Sequence, residues 1–259
     1  MSIRRAAVAD LFYPGDPVEL GGQLSSIFSL FNSLPKQKSV AAIVPHAGYI
    51  YSGEAAAQAY AQIDFSELDC ILLFGPAHRV PLKGLALPSV TEFETPLGNY
   101  PLAKGLIEQL VAADLATVDD SAHRQEHSLE VQIPFLQHLG VEVPLIPIVV
   151  GWSNPDEVSK CIEFVLLQAK ALILVSSDLS HFHSYAEAQE IDQNTTYRIL
   201  DMETDIQPEE ACGCYALNGL LSWLKGSDKT IEVVSKYNSG DTAGDKDRVV
   251  GYASYIVYQ

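Results

Sequence analysis

Ala171-Leu172-Ile173-Leu174-Val175 is a run without a polar residue, and Ser176-Ser177-Asp178-Leu179-Ser180-His181-Phe182-His183 follows it at once. A short, continuous apolar run of this kind suits a strand buried on both faces. Three other segments share its character: Ser39–Val44 (SVAAIV), 70–74 (CILLF) and 144–150 (PLIPIVV). Helix-like stretches separate them, at 53–63, 102–112, 128–139, 156–169, 186–202 and 209–224. Strand alternating with helix predicts an α/β fold, with one central, mostly parallel mixed sheet and helices on both of its faces. The chain closes with two β-rich runs, 231–237 and 248–258, joined by a loop dense in turn formers (SGDTAGDKD). They are expected to pair as a hairpin or as neighbouring strands.

Composition narrows the reading further. The chain has 259 residues, 47% hydrophobic and 19% charged, which predicts a large core and one domain spanning 1–259. A net charge of −17 repels phosphate backbones and anionic lipid, so neither nucleic acid nor a membrane surface is an expected partner. No run approaches the roughly 18 apolar residues of a membrane span, and the N-terminus lacks a signal-like apolar stretch, so a cytoplasmic location is expected. Cys70, Cys161, Cys212 and Cys214 read as small buried thiols, because C-x-C without a second pair does not make a zinc ribbon. Thr95-Pro96-Leu97-Gly98 reads as a turn, and loops carry function often enough that it is expected over a pocket mouth as a lid.

Three of the buried runs end in a histidine. Val44-Pro45-His46 follows the first, Gly75-Pro76-Ala77-His78 the second, and Ser176 to His181 the fourth. Ligands of open α/β sheets bind outside the carboxyl ends of the strands, so His46, His78 and His181 are expected to share one pocket. A fourth histidine, His127, opens a helical pattern in Arg124-Gln125-Glu126-His127-Ser128-Leu129-Glu130, where Glu130 would lie beside it at i+3. Imidazole is a common ligand of iron, zinc and copper, and two histidines with a carboxylate suit non-haem Fe(II). There is no G-x-S-x-G elbow, phosphate-binding P-loop, H-E-x-x-H helix or dinucleotide fingerprint, which weighs against hydrolase and nucleotide-binding readings. Ser176, Ser177 and Ser180 beside Asp178 read as loop and cap residues.

These segments together resemble the Memo-like family, whose bacterial and archaeal members are often labelled AmmeMemoRadiSam system protein B. The resemblance rests on Leu11-Phe12-Tyr13-Pro14, Pro45-His46-Ala47-Gly48-Tyr49, Gly75-Pro76-Ala77-His78, Thr95-Pro96-Leu97-Gly98, the stretch from Glu126 to Leu136, Ser176 to His181, Ala211-Cys212-Gly213 and Val250-Gly251-Tyr252-Ala253. It implies a fold similar to the class III extradiol ring-cleaving dioxygenases, which hold Fe(II) with two histidines and a carboxylate. It also implies that His46 and His78 are metal ligands, and that His127, Asp178 and His181 line the pocket as acid and base groups.

Animal members place a third, cysteine ligand in the loop before the last strand, where this chain carries Thr242. Asp241 or His181 is therefore expected to complete a set for Fe(II), with Zn or Cu as other candidates. The resemblance thus implies a metal-dependent oxidoreductase. The alternative is a non-catalytic protein that binds a small molecule or peptide in the same pocket.

Overall fold

Every residue of the strands Cys70–Pro76, Leu145–Val150 and Ala171–Ser176 is buried, as their unbroken apolar sequences require. The computed structural model describes residues 2–258. Across its main sheet the central order is Ser39–Val44, Ala171–Ser176, Cys70–Pro76, Leu145–Val150, all parallel. The edges are antiparallel to this core. Val249–Tyr258 pairs with Ser39–Val44 on one side and Leu85–Leu87 with Leu145–Val150 on the other. Thr117–Val118 extends the second edge. Thr230–Asn238 lies antiparallel on Val249–Tyr258, the pairing expected of the two closing runs. His181–His183 is a further short strand on the same partner. The expected α/β architecture is therefore present, with the parallel pairing concentrated at its centre.

Helices cover the sheet in two groups. Pro155–Leu166 and Cys214–Leu224 pack on each other and on the central strands. Tyr49–Tyr60 packs with Pro17–Ser29 and Ile133–His138 and against the closing strands. Capping boxes start two of the helices: Asn154 with Glu157, and Ser184 with Glu187.

Two helices begin more than a turn later than their sequence patterns predict, and both delays shape the pocket. The 128–139 pattern becomes a turn of 3-10 helix, Glu130–Gln132, followed by Ile133–His138 with a proline in its first turn. Ahead of it, the N–H groups of His127 and Ser128 bind the Glu126 carboxylate. The 209–224 pattern becomes Cys214–Leu224 because residues 211–213 are pressed against the end of a central strand.

The Thr95–Gly98 turn does not lie over the pocket. It joins Glu92–Thr95 to Gly98–Pro101 in a small separate sheet with Ile3–Arg4. Thr95 Oγ1 donates to Gln137 Oε1 at 2.6 Å, Gln137 Nε2 donates to the Gly98 carbonyl at 3.0 Å, and Tyr100 OH donates to the Val143 carbonyl. These anchors sit beside the chain entering the amino end of Leu145–Val150, the opposite end of the sheet from the histidines. No helix among the described residues is long and apolar enough to cross a membrane.

Candidate metal centre

His46 and His78 leave the carboxyl ends of Ser39–Val44 and Cys70–Pro76, with Ala171–Ser176 lying between those strands in the sheet. That spacing brings the two imidazoles face to edge, with ring centroids 5.2 Å apart. His127 joins them at 5.3 Å from His46 and 4.6 Å from His78. Phe12 closes one side by packing on His127 at 4.5 Å. Residues far apart in sequence thus meet at the end of the sheet where α/β folds bind ligands.

The third donor beside His46 and His78 is Cys212. Its Sγ lies 3.2 Å from His46 Nε2, and ligand atoms of His46, His78 and Cys212 all fall within 4.8 Å of one another. Several contacts deliver the thiol. Cys212 Sγ accepts from the Asp178 N–H at 3.3 Å, and Gly213 N–H donates to Ser177 Oγ at 2.9 Å. Gly213 permits this approach, since a Cβ there would stand 2.7 Å from Ser177 Cβ and 2.8 Å from the Ser176 carbonyl oxygen. Gly213→Ala should accordingly push Cys212 off the strand end and cost about 1–3 kcal/mol by overpacking. Urea unfolding of the variant measures this, and an unchanged midpoint would show that the loop has room to spare.

Asp241, expected as a ligand, lies elsewhere, and so does Thr242 beside it. Asp241 Oδ1 accepts from Tyr185 OH at 2.6 Å and Oδ2 from Asn238 N–H at 3.1 Å, closing the turn Ser239–Asp241 on the exposed side of the loop. Thr242 is also exposed, and its hydroxyl donates to the Ser239 carbonyl. Among the described residues, neither belongs to a cluster able to hold a metal ion. His181 is close enough for its charge to act on His46 and Asp178, but it is in neither of the two three-donor groups, His46–His78–Cys212 and His78–Glu126–His127. It starts a short strand whose register slips at Phe182, a residue with φ of +64°.

The carboxylate beside His127 is Glu126, not Glu130. Glu126 accepts from His78 N–H at 2.6 Å, His78 Nδ1–H at 2.9 Å, and the N–H groups of His127 and Ser128 at 2.9 and 3.0 Å. Burial alone would raise its pKa, but contact with His127 and His78 brings it well below the usual carboxylate range. A carboxylate only accepts, so His78 Nδ1 carries a proton, which in the neutral ring leaves Nε2 as the ligand-binding nitrogen. His127 Nδ1 lies 3.2 Å from the same carboxylate without hydrogen-bond alignment. Glu130 turns away to Arg4, Tyr13 and the N–H groups of Ala7 and Val8.

Burial sets the charge of the remaining groups. It lowers the His46 pKa well below the ordinary histidine value, and the neighbouring His78 and His127 lower it further, so the ring is neutral. It raises the Asp178 pKa, partly offset by His181 and by the His46 N–H, which donates to Asp178 Oδ1 at 2.7 Å. It also raises the pKa of the Cys212 thiol, and the charge of Asp178 adds to that.

A family profile described as Memo-like protein matches residues 4–256. A MEMO1 family protein of Methanosarcina mazei is 34% identical over 275 aligned positions, covering 99% of this chain and all of that one. Another from Aquifex aeolicus is 36% identical, with 99% of both chains covered. Among solved structures, an uncharacterized protein, JW3007 from Escherichia coli K12, superposes with a TM-score of 0.53 at 12% identity, covering 85% of this chain and 99% of that one. This last likeness concerns the fold alone.

Proposed function

The chain belongs to the Memo-like family, and from that premise we propose that it is a metal-dependent oxidoreductase whose His46, His78 and Cys212 hold one first-row transition ion, Fe(II) in the active form. The observation that carries this reading is the convergence of three donors from three separate chain segments to within 4.8 Å. Their chemistry fits an ion. His46 is neutral, His78 has Nε2 free behind its bond to Glu126, and a thiolate is a strong donor once deprotonated. Cysteine in place of the carboxylate of a two-histidine, one-carboxylate set also raises affinity for Cu and Zn, so these ions compete for the site.

When bound, Fe(II) supplies Lewis acidity and oxygen chemistry. The chain's own residues do the rest. Glu126 anchors His78 from behind, and Phe12 screens one side of His127 from water. Asp178, whose Oδ1 accepts from the His46 N–H, would take and return substrate protons together with His127 and His181. The substrate is a small molecule of unassigned class, which would reach the donors from the side where His78 is exposed.

Metal analysis after anaerobic purification with added Fe(II) tests this reading. The native protein should hold stoichiometric iron, and the double variant His46→Ala/His78→Ala should hold almost none. Equal, low iron in both proteins would remove the metal from the site.

A further inference from the structure

Ser176 is the last residue of its strand, and its hydroxyl lies directly beneath His46, with Oγ 2.9 Å from His46 Nδ1. A serine hydroxyl has one hydrogen to give and two lone pairs. The backbone carbonyl of Ser128, 2.6 Å from Oγ, can only accept, so it takes the hydrogen. Gln132 Nε2, 2.8 Å away, donates into one lone pair. The orientation of that amide is fixed from both ends: Nε2 also donates to the Pro45 carbonyl, and Oε1 accepts from Tyr60 OH, each at 2.9 Å. Only one lone pair of Ser176 remains, and it faces His46 Nδ1. Ser128, Gln132 and Ser176 are 0% exposed and His46 is 1% exposed, so water does not compete for these bonds. Nδ1 must therefore carry the ring proton, which leaves Nε2 with a free lone pair 3.2 Å from Cys212 Sγ.

We propose that Ser176 is a positioning residue of the metal centre: its hydroxyl, committed to the Ser128 carbonyl and supported by Gln132, holds His46 as the Nδ1–H tautomer and aims the Nε2 lone pair at the ion. Its use for an ion rests on the reading of the site given above, whereas the tautomer does not. His78 is set in the same sense by the Glu126 carboxylate. The two imidazoles thus present equivalent nitrogens through different means, one a buried charge and the other a neutral hydroxyl whose direction the backbone dictates.

The test is long-range proton–nitrogen NMR on the full-length, metal-free protein labelled at histidine nitrogen, with His46→Gln assigning the signals. His46 should show a protonated Nδ1 and a bare Nε2. Ser176→Ala should lose that preference, with Nε2–H appearing, and its affinity for Zn(II) or Fe(II) should fall roughly 10–100-fold although every donor is intact. Ser176→Thr keeps the hydroxyl and should restore both properties. Gln132→Met leaves the hydroxyl on the Ser128 carbonyl and should keep Nδ1–H, which separates tautomer control from general damage to the pocket. A native His46 protonated on Nε2, or an unchanged tautomer in Ser176→Ala, overturns the proposal. A native protein with the expected tautomer that binds neither ion overturns the metal reading instead and leaves the control by Ser176 standing.

Discussion

Cys212→Ser is expected to lower divalent-ion affinity by more than the roughly 10–100-fold that loss of an outer hydrogen-bond partner costs, because it removes a donor atom itself. A serine hydroxyl fits the space but is a far weaker donor than thiolate, so the fold should survive. The pH dependence gives a second signature. Burial and the nearby charge of Asp178 raise the Cys212 pKa above its ordinary value, so the metal-free protein holds a neutral thiol at neutral pH. An incoming ion must displace that proton. Affinity should then rise with pH, about tenfold per unit for one proton released, and the serine variant should lose that slope. Competitive titrations of both proteins between pH ~6 and ~8 measure the two effects together. Native binding that ignores pH, or a serine variant with unchanged affinity, would remove Cys212 from the ligand set.

His46 and His78 were legible in the sequence because each follows a buried apolar run, and the order of parallel strands does the rest. Cys212 carries no such mark. It sits in a connection between helices, and its C-x-C with Cys214 suggests only buried thiols, which Cys214 is. What brings it to the site is the close approach allowed by Gly213 and the N–H of Asp178, long-range contacts without local periodicity. Ala211-Cys212-Gly213 was among the segments of the family resemblance, and a cysteine beside a glycine was the available signal. The loop holding Thr242 and Asp241 is expected at the site only because the resemblance implies a cysteine ligand there, whereas its acidic and hydroxyl groups serve its own turn and Tyr185. The pairing of His127 with Glu130 failed for a related reason. The i, i+3 argument assumes a helix, and the backbone there is instead wound around the Glu126 carboxylate. Ser176 read as a loop and cap residue, since only the tertiary arrangement of Ser128, Gln132 and His46 gives its hydroxyl a direction.

Glu130→Ala should be the most destabilising single change in the pocket's support, by about 3–5 kcal/mol. Glu130 is fully buried and forms an ion pair with Arg4, whose side chain is 6% exposed. It also accepts from Tyr13 OH and from the N–H groups of Ala7 and Val8. Arg4 in turn donates to the His123 carbonyl at 2.9 Å and the Glu126 carbonyl at 2.6 Å. The net stabilisation from such a pair is small, because desolvating both charges offsets most of their attraction. Removing one partner is different, since it leaves the buried Arg4 charge, the Tyr13 phenol and the Ala7 and Val8 amides without their acceptor. Against a total stability of about 5–15 kcal/mol for a typical domain, that is a large fraction.

The loss should also reach the site. Glu130 ties the N-terminal segment 4–13 to the loop that carries Glu126 and His127, and Phe12 of that segment packs on His127. Urea unfolding should show the drop in stability, and Arg4→Met/Glu130→Leu, which removes both charges, should recover much of it. A double variant as unstable as Glu130→Ala would mean that the shape of the segment, rather than an uncompensated charge, sets the cost.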